Sequence, residues 1–199
     1  MKLLKLFLLS SALTLYPSLA NATPKADIKA VYDLYEAFYP SFPKFYICSG
    51  HGCKYVNEVT LSSEMKSQLS LLFKDIDSAE NERIAIANAI SYLETVIGNL
   101  TGTHIDKKSL GVLSGGSHGN MDCVDEALNS TTYLLLLEEL KLLKYHESKK
   151  PDWKGGIFKW THYAATFIDK ETNVLWALDS GVEDNGGLPL ITTWEKFYE

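Results

Sequence analysis

Arginine is almost missing from this 199-residue chain, where Arg83 is the only one. No block of Lys and Arg interrupts a formal net charge of −6, which argues against a nucleic-acid or anionic-membrane partner. After residue 22 no apolar run approaches the roughly 20 residues that cross a bilayer, so no membrane helix is expected there. Low-complexity tracts, internal repeats and long Pro/Gly/Ser linkers are also missing, and residues 23–199 read as one domain. His51, His104, His118 and His146 show no i,i+4 pairing, and the cysteines lack the two-pair spacing of a structural zinc site. No metal is expected.

What is present begins with residues 1–22. Lys2 and Lys5 precede the apolar stretch Leu6 to Leu15, and Ala20-Asn21-Ala22 is a small-x-small cleavage pattern. The expectation is a signal peptide whose removal leaves a periplasmic or secreted protein, with no membrane anchor after cleavage. Losing Lys2 and Lys5 takes the formal charge from −6 to −8.

Helical spacing over 27–39 (Ile28, Val31, Tyr32, Leu34, Tyr35, Phe38) predicts a helix stopped by Pro40 and Pro43. A cysteine loop follows, then a strand at Glu58-Val59-Thr60-Leu61. Ser62 or Ser63 opens a helix to about Phe73 with Met65, Leu69 and Leu72 inward. Ser78 caps another helix to about Ile97, whose stripe is Ile84, Ala87, Ile90, Leu93 and Ile97. After the Gly/Ser-rich stretch 110–119, a helix runs from Cys123 to about Leu143, apolar nearly all round and therefore central. Strands are expected over 145–147, 158–168 and 174–179, the last two joined by a tight turn at 169–173. Helices first and strands later predict an α+β fold: N-terminal helices, and a central nucleophile-bearing helix packed on a small antiparallel sheet.

Cysteine is scarce: Cys48, Cys53 and Cys123. In an oxidising compartment an odd count leaves a thiol for intermolecular pairing or reaction. Cys123 opens the strongest helix, where backbone N–H groups favour a thiolate. His162 and Asp179 follow, in the order of a nucleophile, its base and an orienting acid. A hairpin with a tight turn brings the end of the second strand beside the start of the first, making His162 and Asp179 cross-strand neighbours. Asp122, Asp125 and Glu126 have a simpler role available, since acids in a first turn stabilise the helix dipole. Cys48-Ser49-Gly50-His51-Gly52-Cys53 reads first as a small structural disulfide loop, with metal binding or a redox pair as alternatives. His118 lies close before Cys123 and could line the site, and Trp160 and Trp176 flank it.

Gly119 to Glu126, Thr161-His162-Tyr163-Ala164-Ala165 and Trp176-Ala177-Leu178-Asp179 resemble the core of the transglutaminase-like branch of papain-like cysteine enzymes. Small exported bacterial members are the most similar. The resemblance covers 119 to about 180, and the catalytic core would extend over about 119–199. It implies Cys123 as nucleophile, His162 as base and Asp179 as orienter, in an exported amide hydrolase, protease or transglutaminase-like enzyme. Its substrate would be a protein, a peptide or a cell-wall peptide, and no cofactor would be needed. The family's upstream glutamine is lacking, which leaves Asn120 and the Cys123 backbone N–H as oxyanion donors. Some periplasmic relatives bind calcium through acids on both sides of the nucleophile. Asp122 matches that pattern and Val124 does not. The alternatives are an inactive transglutaminase-like binding module, favoured by the missing glutamine, and a thiol-disulfide protein using Cys48 and Cys53.

Overall fold

The computed structural model describes residues 24–108, 116–156, 159–197 and 199. The expected signal peptide and most of the Gly/Ser-rich stretch lie outside them. The elements in chain order are α1 (Pro24–Leu34), β1 (Lys44–Ser49), β2 (Tyr55–Thr60), α2 (Ser63–Leu72), α3 (Ala79–Thr101), α4 (Cys123–Glu139), β3 (His146–Gly156), β4 (Lys159–Asp169), β5 (Leu175–Asp179) and β6 (Leu190–Thr193). This is an α+β fold with two antiparallel sheets, β1-β2 and β3-β4-β5-β6. The sequence had suggested one.

Helix α4 has apolar residues all round because two cores meet on it. On one side Leu134, Leu136 and Leu137 pack with Ile86, Ile90, Leu93 and Ile97 of α3, Phe167 of β4 and Phe45 and Ile47 of β1. On the other, Leu128 and Leu135 meet Ile28 and Tyr32 of α1 and the Cys48 and Cys53 side chains. Each fully buried Leu or Ile contributes about 1.5–3 kcal/mol, so α4 is fixed from two directions. The buried Tyr32 hydroxyl is satisfied by Thr132 Oγ1 at 2.7 Å and the Leu128 carbonyl at 2.9 Å.

Two helices stop earlier than their apolar spacing predicts, for one reason. In α1 the Glu36 and Ala37 N–H groups donate to the Asp33 and Tyr32 carbonyls, with Glu36 at φ 54°. In α4 the Lys141 and Leu142 N–H groups donate to Glu138 and Leu137, with Lys141 at φ 57°. Both are Schellman endings whose left-handed residue is not glycine. Pro40 and Pro43 therefore do not end α1, and Phe38 lies beyond the helix and exposed.

The stripe of α3 is also rotated from the expected one. Ile84 is exposed and Ala87 half-buried, while Ala85, Ile86 and Ala89 face inward. A buried acid sets this rotation. Glu82 accepts from the Lys144, Tyr145 and His146 backbone N–H groups and from His146 Nδ1 at 2.9 Å. Arg83, which has only donors, contacts His146 Nε2 at 3.3 Å. The two ring nitrogens of His146 thus face an acid on one side and a guanidinium on the other. The pair ties α3 to the start of the larger sheet.

Strand β3 runs far past the expected 145–147. Its Lys149-Lys150-Pro151 stretch looks like loop, yet an edge strand accommodates lysines, and Pro151 falls in the register shift between Lys149 and Asp152.

Candidate active site

Three elements deliver the site. Helix α4 presents Cys123 at its first position, β4 carries His162 near its start, and β5 ends at Asp179. Ala165 pairs with Leu178, so Asp179 falls beside the beginning of β4 as the hairpin argument required. His162 Nε2 and Asp179 Oδ2 are 2.7 Å apart. The Cys123 thiol is also a hydrogen-bonding partner of the His162 ring. The structure thus brings Cys123, His162 and Asp179 together, and Cys123 is a free thiol, half-buried. The hydrogen bond to Asp179, then that to Cys123, pushes the His162 imidazole up to about 10 against the opposing effect of burial.

The ring is held from a third direction by a segment in which no site was expected. Phe197 stacks on His162 with centroids 5.5 Å apart and planes at 28°, and Trp194 stacks on Phe197 at 5.3 Å. Lys154 lies over Trp194 at 5.3 Å and donates to the Glu195 carbonyl at 3.0 Å. On another side Tyr35 meets Tyr163 edge-on at 6.0 Å. Burial first, then the Tyr163 hydrogen bond and the negative charge near Asp122 and Cys123, holds the Tyr35 hydroxyl well above its usual range.

Around Glu126 lies a set of buried acids of which sequence spacing singles out only Asp179. Asp179 Oδ1 accepts from Gly181 N at 3.1 Å, Glu94 from Gly186 N at 3.0 Å and Asp106 from Met121 N at 2.6 Å. Glu126 packs so closely on Gly181 that a Cβ there would force its carboxyl to shift. Burial raises Glu94 to about 7 and Asp106 to about 6, and lifts Glu126 well above the carboxylate range. Asp125 is raised to about 7 by burial and then by Asp122.

A carboxyl whose folded pKa is raised keeps its proton in the native state at pH values where the unfolded chain has lost it. Its contribution is complete below the unfolded pKa of about 4 and is lost as pH rises through the folded value. His162 has the same sign over a higher window, from about 6.5 to about 10. The chain should therefore melt several degrees higher at pH 5 than at pH 8. Glu94→Gln should flatten that slope in a series of thermal melts. A midpoint that rises from pH 5 to pH 8 would contradict the assignment.

Other expected residues are engaged elsewhere. The Asn120 side chain donates to Ser117 Oγ at 2.5 Å, and the Asn120 backbone carbonyl accepts from Gly50 N at 2.7 Å. His118 tilts against Tyr55 at 5.2 Å. Trp176 carries the Arg83 guanidinium 4.0 Å above its ring, and the Trp160 side chain is outside the described residues. Asp122 Oδ1 caps α4 on the Val124 and Asp125 N–H groups and also takes Gly52 N at 3.3 Å. Val124, on the other side of Cys123, offers no side-chain oxygen. Among the described residues, ligand atoms close enough for a metal occur at Cys48, Cys53 and Asp125. There the two sulfurs are joined to each other as a disulfide, with Cα atoms 4.5 Å apart. No helix of the described residues is long and apolar enough to cross a membrane. No protein-family model, curated protein or solved structure matches the chain.

Proposed function

We propose that this chain is an exported, cysteine-dependent acyl-transfer enzyme of the transglutaminase-like class, acting on an amide of a protein, peptide or cell-wall peptide. The observation that carries the reading is the His162 Nε2–Asp179 Oδ2 contact at 2.7 Å, with the Cys123 thiol near enough to raise the same imidazole. Chain order supports it as well: a cysteine-headed buried helix is followed by an antiparallel sheet bearing the histidine and the acid. The Cys48–Cys53 disulfide fits an oxidising compartment outside the cytoplasm. Its two cysteines are buried, which favours a structural bond over an exchanging one.

The chemistry follows from the protonation pattern. With Nε2 committed to Asp179, Nδ1 is the ring nitrogen left for the thiol. An imidazolium that persists through neutral pH stands beside a sulfur whose anion is the attacking species. The thiolate adds to the acyl carbon, and the Cys123 backbone N–H at the start of α4 is placed to stabilise the oxyanion. His162 then gives its proton to the leaving amine, the C–N bond breaks, and a thioester remains on Cys123. Water or a second amine attacks that thioester, returning its proton to His162 and freeing the thiol.

The test is direct. After a short incubation with p-nitrophenyl acetate and an acid quench, peptide mapping should find the acetyl group on Cys123.

A further inference from the structure

We propose that the Cys48–Cys53 loop is a positioning element for Cys123, holding the thiol against His162 by gripping the carboxylates on either side of it, with Asp125 as the positioning residue. This rests on the reading of Cys123 as the nucleophile.

The loop has an unusual path. Gly50, His51, Gly52 and Cys53 all lie in the left-handed region, at φ 85°, 68°, 65° and 62°. Two of the four carry a Cβ, for which that region is unfavourable, so the conformation needs external support. The disulfide between Cys48 and Cys53 closes the turn. Successive backbone N–H groups in such a turn converge on one side and form a concavity suited to an anion. Here the chain fills the concavity itself. His51 N donates to Asp125 Oδ2 at 2.8 Å, Cys53 N to Asp125 Oδ1 at 2.5 Å, and Gly52 N to Asp122 Oδ1 at 3.3 Å.

The grip extends along both sides of the nucleophile. Before it, Gly50 N donates to the Asn120 carbonyl at 2.7 Å and Gly119 N to Ser49 Oγ at 3.3 Å. After it, the Asn129 side chain bonds both the N–H and the carbonyl of Cys48, at 2.8 and 2.9 Å. Asp125 also receives the Asp122 N–H at 3.3 Å, completing a capping box. The first turn of a helix normally has free donors and frays. In α4 that turn is clamped to a covalently closed loop, so the thiol has little room to move from the imidazole. A nucleophile displaced by about 1 Å loses on the order of a hundredfold in rate, and the clamp prevents that loss.

The experiment uses the full chain and iodoacetamide, whose reaction reads the Cys123 thiolate. In Cys48→Ser/Cys53→Ser, Cys123 is the only thiol left. Well below its melting midpoint, this variant should alkylate at least about tenfold more slowly than wild type at pH 6. At pH 9, where an unassisted thiol ionises by itself, the two should be nearly equal. Asp125→Asn keeps the disulfide and replaces one of the two oxygens that accept from His51 N and Cys53 N with a donor, and its pH 6 to pH 9 rate ratio should fall in the same direction. It decides the matter if the double variant does not fold. A merely structural loop would lower the melting midpoint and leave that ratio at the wild-type value, which would overturn the proposal. The His162→Ala variant separates the two readings. If the wild-type ratio does not depend on His162, the nucleophile reading fails and the positioning role falls with it. If it does depend on His162 while both loop variants match wild type, only the positioning role fails.

Discussion

Replacing His162 with alanine should slow acylation of Cys123 by an activated ester by about three orders of magnitude at pH 7, within the usual range for loss of a general acid–base. The imidazole is held up to about 10 by Asp179 and Cys123, so wild type keeps a cation beside the sulfur throughout the neutral range. Without it the thiol must ionise as an isolated group, near about 8.5. The deficit should therefore shrink steadily from pH 6 to pH 9. Rates that fall by the same factor at both ends would mean that His162 only supports packing. Because Phe197 stacks on the ring, the melting midpoint must be recorded for the same variant, and rates compared well below it.

Asp179→Asn should lower turnover by about 10²–10⁴-fold, the scale seen when a triad acid loses its charge with its shape retained. The amide preserves the volume and the acceptor for Gly181 N, which Asp179 Oδ1 meets at 3.1 Å. What it loses is the charge that holds the proton on Nε2 and keeps the imidazolium formed. The fold should be kept, because the side-chain volume and the Gly181 contact are both retained. Far-UV and near-UV circular dichroism should match wild type while steady-state turnover collapses. Turnover within threefold or so of wild type would remove Asp179 from the mechanism.

The elements legible in the sequence were those governed by local chemistry. Ser62 and Ser78 cap α2 and α3 as their side chains suggest, and the hairpin turn after Asp169 brings β4 and β5 together in the expected antiparallel register. The Cys48–Cys53 pairing was legible from an odd count and a short glycine loop. Features settled by distant partners were not. Nothing in Glu36 or Lys141 announces a left-handed helix ending. The Lys-rich β3 looks like loop until its edge position is known, and β6 is too short to show a period.

The same division holds at the site. The nearness of His162 and Asp179 could be read because a tight hairpin sets the end of β5 beside the start of β4. Asp125 and Glu126 looked like ordinary first-turn acids favouring the helix dipole. Both are buried, and each serves an element far away in sequence: Asp125 the disulfide loop, Glu126 the turn at Gly181. Asn120 looked available as an oxyanion donor until its amide was found on Ser117. Phe197 carries no signal at all, since its importance lies in a stack with a ring 35 positions earlier.

If Cys123 carries an acyl group during turnover, the native protein mixed with p-nitrophenyl acetate and quenched in acid within the first turnover should yield, by peptide mass mapping, the acetyl group on Cys123. It should also release a stoichiometric burst of nitrophenolate, and Cys123→Ala should show neither. A burst that persists in Cys123→Ala, or a native protein that turns over the ester with Cys123 unmodified, would contradict that role for Cys123.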